Sequence, residues 1–160
     1  MATWQFDLRL VPRTSITRHG LQAEDRLSVA LLDDVEWWEG CTLPSDYPER
    51  LAAFLPVAKP WSEGWNVFGT EDGTRVDVIT AGQRVEEVRM RIDARHVDAD
   101  IIEHLVAFAT GIDALLVSPE GRVFEPTFDA IGVELELSPA ALFVRDPAEF
   151  FRRLKDRREQ

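Results

Sequence analysis

The chain reads as a single α+β domain over residues 1–160, a two-layer sandwich of a mostly antiparallel sheet with helices on one face. Three observations lead there. Val88, Met90, Ile92 and Ala94 alternate with Glu87, Arg89, Arg91, Asp93 and Arg95, the period of a half-buried strand. Behind Asp98, the residues Ile101, Ile102, Leu105, Phe108, Ala109 and Ile112 recur at helical spacing. Ala114 to Val117 then reads as a strand, which Pro119-Glu120-Gly121 turns into another at Arg122 to Glu125.

The other elements follow in chain order. Trp4, Phe6, Leu8 and Leu10 alternate with Gln5, Asp7 and Arg9, a strand that Pro12 stops. Residues 23–34 fit a short helix with Leu27, Ala30 and Leu31 inward, or a strand through Leu27, Val29 and Leu31. Asp46 to Leu55 reads as a helix with Asp46 and Glu49 at capping-box spacing, ended by Pro56. Trp65 to Thr70, Thr74 to Ala81 and Val85 to Arg95 form a meander, with turns at Asp72-Gly73 and Ala81-Gly82. Pro126 to Leu137 predicts a helix with Phe128, Ile131 and Leu135 on one side. The last helix has Asp146 as cap, Pro147 at its first position and Glu149 completing the box.

One apolar sheet face is then expected to carry Phe6, Leu8, Trp65, Val67, Val76, Val78, Val88, Met90 and Ile92. The helix after Asp98 covers that face by a crossover. Ile92, Leu105, Phe108, Leu116 and Phe6 should be buried together. A ferredoxin-like arrangement is one version of this sandwich.

The net charge is −11, and its distribution is uneven. Glu24 to Glu49 holds eight acids and one base, Arg26, for a balance of −7. Arg145 to Gln160 holds six bases and four acids, for +2. A chain this acidic is repelled by phosphate backbones, so neither nucleic acid nor a membrane is an expected partner. A cationic protein partner is favoured, or self-association in which the basic end meets the acidic segment. The single cysteine, Cys41, excludes an internal disulfide framework and suits a reducing, cytoplasmic setting. No signal peptide is expected, because no basic stretch with an apolar run behind it opens the chain.

Three groups of residues are candidates for function. Asp33, Asp34, Glu36 and Glu39 surround the adjacent Trp37 and Trp38. Neighbouring side chains point in different directions, so one tryptophan should be buried and the other partly exposed, as an anchor for a cationic partner. Arg75, Arg89 and Arg91 project from the wet face of the sheet, and Trp61 and Trp65 flank a nearby loop. They are the alternative, a ligand face or a tryptophan-lined pocket. Asp93, His96, Asp98, Asp100 and His104 have the residue types of a metal site. Helical spacing places the last two on a solvated face, however, and makes Asp98 a cap, so no metal is expected. No nucleophile elbow, phosphate loop or paired-cysteine pattern occurs, so neither a catalytic residue nor a cofactor is expected.

The strings WWEG, VRMRIDAR, FEPT and FVRDPAEFF resemble a loose group of uncharacterised bacterial proteins, over most of the chain from Trp37 onward. The resemblance implies a bacterial, cytoplasmic setting and brings no catalytic residue. The function expected is a non-catalytic intracellular interaction domain, immunity-like in that it neutralises a cationic partner. The alternative is a small-molecule binder or enzyme working at the arginine-bearing face.

Overall fold

Six strands and seven helices form in the computed structural model, which describes residues 2–158. The strands are β1 (Gln5–Pro12), β2 (Trp65–Gly69), β3 (Arg75–Ala81), β4 (Arg84–Asp93), β5 (Ala114–Val117) and β6 (Val123–Phe124). The helices are α1 (Arg13–Arg18), α2 (Val29–Asp34), α3 (Tyr47–Ala52), α4 (Ala99–Gly111), α5 (Phe128–Glu136), α6 (Pro139–Arg145) and α7 (Pro147–Arg158). All six strands join one antiparallel sheet in the order β2-β3-β4-β1-β5-β6. The α+β class read from the alternating strands and the amphipathic helix is the class observed.

β1 is antiparallel to both β4 and β5, so β4 and β5 run parallel with β1 between them. Helix α4 links them, giving a split β-α-β unit. That unit is what the fold shares with a ferredoxin-like arrangement. The remaining strands extend it as a meander on one side and a hairpin on the other.

Register decides which side chains share a face. Phe6, Leu8 and Leu10 lie opposite Ile92, Met90 and Val88, and Val76 and Val78 lie opposite Met90 and Val88. Ile102, Leu105, Phe108 and Ala109 of α4 are buried in the same core. The five residues expected to be buried together are all there. Helix α3 closes the β2 end, where Tyr47 meets Phe68 edge-on at 6.3 Å and Phe54 stacks on His104 at 5.1 Å.

Trp65 and Val67 depart from the expected face. Val67 pairs with Asp77 and Trp65 with Ile79, whereas Phe68 pairs with Val76. Phe68 therefore joins the apolar core, and the two predicted residues belong to the opposite, polar face. β2 is only five residues long and both Val67 and Phe68 are buried, so alternation alone leaves its phase open.

Residues 23–34 divide between the two expected alternatives, with a short helix in the second half and an extended stretch in the first. Ser28 caps a short helix, α2, by accepting from the Leu31 N–H at 3.1 Å. Residues 24–27 instead run along the outer edge of β6: Glu24 donates to the Val123 carbonyl at 2.7 Å, and Val123 donates to that of Asp25 at 2.9 Å. Leu27 donates to Gly121 at 2.7 Å. Gly121 has φ of +86°, and a Cβ there would lie 2.1 Å from the Leu27 carbonyl oxygen, so only glycine permits this approach. At the other edge, Ala58 and Gly69 exchange backbone hydrogen bonds with Val67 and Pro56 at 3.0 and 2.6 Å, which covers β2.

Helix boundaries also differ in detail. Asp46 does not cap α3; its side chain pairs with Arg50 at 3.0 Å, and its backbone is not extended. Thr127 caps α5 at Ala130, and Ile131 and Leu135 face the core while Phe128 is exposed. The unexpected α6 begins at Ser138, which accepts from the Ala141 N–H at 3.2 Å, with Pro139 in its first turn. Asp146 caps the last helix as expected, accepting from the Glu149 N–H at 3.0 Å.

Candidate functional site

The acidic segment begins where α2 ends. Val35 is extended, so the chain leaves the helix and turns back at Gly40, where φ is +73°. Between them Trp37 and Trp38 are both buried, at 5% and 3% exposure. The expectation that one would be exposed is overturned. In this irregular stretch each indole finds its own backbone acceptor. Trp37 Nε1 donates to the Leu32 carbonyl at 3.0 Å, and Trp38 Nε1 donates to that of Leu10, also at 3.0 Å. A buried indole N–H needs such a partner. The Ser15 hydroxyl also donates to the Trp37 carbonyl, and the His19 ring packs 5.1 Å from that of Trp37. Neither tryptophan is an anchor for a partner. Both fix the segment to the body of the protein.

The acids respond oppositely. Asp34, Glu36 and Glu39 are exposed. Asp33 is also exposed and pairs with Arg9 at 2.7 Å. Asp33, Glu36, Trp37 and Trp38 line one cleft of about 190 Å³, together with Glu86 and Glu87 of β4. Glu36, Glu39 and Trp38 line a smaller one of about 100 Å³ beside Arg84 and Glu86. The structure thus brings Asp33, Glu36 and Glu39, but not Asp34, to clefts shared with Glu86 or Glu87 of β4. The signal for Glu86 and Glu87 was the unbroken acid pair on an otherwise alternating strand.

The arginine face is also assembled, with its charges already engaged. Arg91 makes two bonds to Asp7, at 2.7 and 3.2 Å. Arg89 makes two to Glu87, at 3.2 and 3.0 Å. Arg95 does the same with Asp93, at 3.0 and 2.9 Å, and stacks over Trp4 at 4.1 Å. Arg75 is 2% exposed, and Trp61 lies over its guanidinium at 4.5 Å. Trp61 also packs against Trp65 at 5.3 Å and is itself 52% exposed. Trp61 therefore covers one face of the Arg75 guanidinium, with Trp65 packed behind it.

This corner is imperfectly satisfied. Arg75 Nε lies 3.2 Å from Asp77 Oδ1, yet neither atom has a hydrogen bond, so the charges touch without alignment. The buried Trp65 Nε1 has no acceptor. Burial pushes the Arg75 pKa down, the facing Arg91 adds to that, and Asp77 opposes it. For Arg89, burial acts downward too, but the hydrogen bonds and charge of Glu87 outweigh it and raise the pKa.

The histidine cluster disperses. Asp98 caps α4, accepting from Asp100 N at 2.9 Å, and Asp93 is held by Arg95. His104 Nδ1 lies 2.6 Å from the Asp100 carbonyl. Among the described residues no group of three His, Cys, Asp or Glu could hold a metal ion. Among them, too, no helix is long and apolar enough to cross a membrane. No family model, no curated protein and no solved structure matches this chain.

Proposed function

We propose that the chain is a non-catalytic protein-interaction domain that binds a cationic protein partner through Asp33, Asp34, Glu36 and Glu39. The observation that carries this reading is the division of labour in one short segment. Two buried indoles tie its backbone down, and the acids on either side of them face solvent. A charged surface held on fixed backbone loses little entropy on binding. Its negative field speeds encounter with a basic surface and repels acidic competitors. Glu86, exposed at the start of β4, adds a further acid at the neighbouring cleft. An immunity-like role, occupying the basic site of an enzyme, is the concrete form of this reading, in the cytoplasm of a bacterium.

The test is an affinity capture from the native host at low and high salt, run beside a variant carrying Asp34→Lys, Glu36→Lys and Glu39→Lys. All three side chains are exposed, so the variant should keep its melting temperature. A basic protein retained by the wild type at low salt, and by neither the variant nor high salt, supports the reading. Equal capture by both proteins sinks it. If the retained protein is the chain itself, self-association replaces the foreign partner.

A further inference from the structure

A cavity of about 260 Å³ lies between α2 and the polar face of the sheet. Arg9 and Arg89 form part of its floor and are direct cross-strand partners. Like charges directly opposite one another on a sheet repel, so this pair requires anions. Two are present. Glu87 takes both Arg89 bonds and lies 3.6 Å from Arg9 Nε, while Asp33 takes Arg9 Nη2 at 2.7 Å. They are not equally held. The Glu87 side chain is 27% exposed, whereas that of Asp33 is 54% exposed. A pair so open to water contributes little to stability and exchanges partners cheaply.

The rest of the lining is mixed: Asp7 and Ser118 are polar, and Val29, Leu32, Val117 and Pro119 make an apolar wall. Leu32 and Val117 are buried, and Val29 is 58% exposed. The geometry points to a binding site for a small aliphatic carboxylate. Its carboxylate replaces Asp33 on Arg9 and shares the charge of Arg89. Its hydrocarbon chain covers Val29 and rests on Leu32 and Val117. One carboxylate oxygen takes Arg9 Nη2, while Nη1 stays on the Leu32 carbonyl at 3.2 Å. Inorganic phosphate would meet the arginines but leave Val29 in water. A neutral alcohol would meet the apolar wall but not the charge. The site shares Asp33 with the proposed partner surface but uses none of Asp34, Glu36 or Glu39, so the triple-lysine variant tests that surface and Val29→Asp tests this site.

The experiment titrates 3-methylbutanoate into the full chain and follows binding by calorimetry and NMR. Inorganic phosphate and 3-methylbutanol serve as comparisons. Saturable binding of the carboxylate alone is expected. Asp33→Asn, which removes the charge held by Arg9 Nη2, should tighten it by roughly three- to tenfold, and Arg9→Gln should weaken it by about tenfold or more. Val29→Asp should abolish it with the melting temperature unchanged. The proposal is overturned if neither the wild type nor Asp33→Asn binds saturably. It is equally overturned if phosphate binds as well as the carboxylate, or if Val29→Asp binds like the wild type. Should Arg9→Gln fail to fold, Asp33→Asn and Val29→Asp decide the matter.

Discussion

Trp37 and Trp38 are adjacent in sequence and both are buried, whereas Trp61 and Trp65 flank a turn and neither is fully buried. Ring size and hydrophobicity are the same in the two pairs. What separates them is the supply of acceptors. The carbonyls of Leu32 and Leu10 receive the first two indoles. Trp65 Nε1 receives none, and Trp61 turns its face to a guanidinium instead. An irregular segment can give two neighbouring indoles a backbone acceptor each, so that both are buried with their N–H groups satisfied.

The comparison breaks most readily at the first pair. Trp37→Ala and Trp38→Ala should each cost about 3–5 kcal/mol in urea unfolding, as much as Phe108→Ala in the central core. A loss under about 1 kcal/mol for either would restore that ring to the partner surface. Trp38→Phe keeps most of the ring and leaves the Leu10 carbonyl without its donor, at a cost of about 1–3 kcal/mol.

A smaller effect is expected with pH at a fifth tryptophan. Trp4 stacks on Arg95, which holds Asp93. Burial would raise the Asp93 pKa, but the side-chain and backbone hydrogen bonds from Arg95 outweigh it and keep it below its ordinary 3.8. A folded value below the unfolded one stabilises the protein above about pH 4. That contribution is lost as pH falls through the depressed value. Near-ultraviolet dichroism on acidification should therefore change less in Asp93→Asn than in the wild type.

The second pair should be tolerant. Trp61→Ala should cost under about 1 kcal/mol, because the ring is half in water. Trp65→Phe should be neutral or slightly stabilising, since it removes a buried donor that has no acceptor. A loss of more than about 1 kcal/mol would show that this indole has a partner.

Regular elements were legible because their periods are long. Val88, Met90 and Ile92 have room to establish alternation over the ten residues of β4, and Asp98 marks the start of α4 with an apolar stripe behind it. Short elements were not. α1 buries only Ser15 and Ile16, too few for a period, and the seven residues of α6 bury only Ala140, although Ser138-Pro139 is a start signal. The acids of the candidate site could be read directly, because charge alone keeps them outside. The fate of Trp37 and Trp38 could not, because it depends on carbonyls of Leu10 and Leu32 that reach them only through the tertiary fold. Nor could the meeting of Arg9 with Asp33, which joins a strand to a helix that sequence patterns leave undecided.

The two covered sheet edges restrict how this protein can recognise anything. Many domains capture an extended peptide by letting it complete a ladder, so that affinity comes from main-chain bonds common to every sequence. Here residues 24–27 already fill that position beside β6, and Pro56 to Ala58 fill it beside β2. Strand addition is closed at both ends of the sheet. The same closure removes the template by which one copy would nucleate fibrils with another. Whatever binds must be chosen by its side chains, and its selectivity will track charge and shape instead of β-forming tendency.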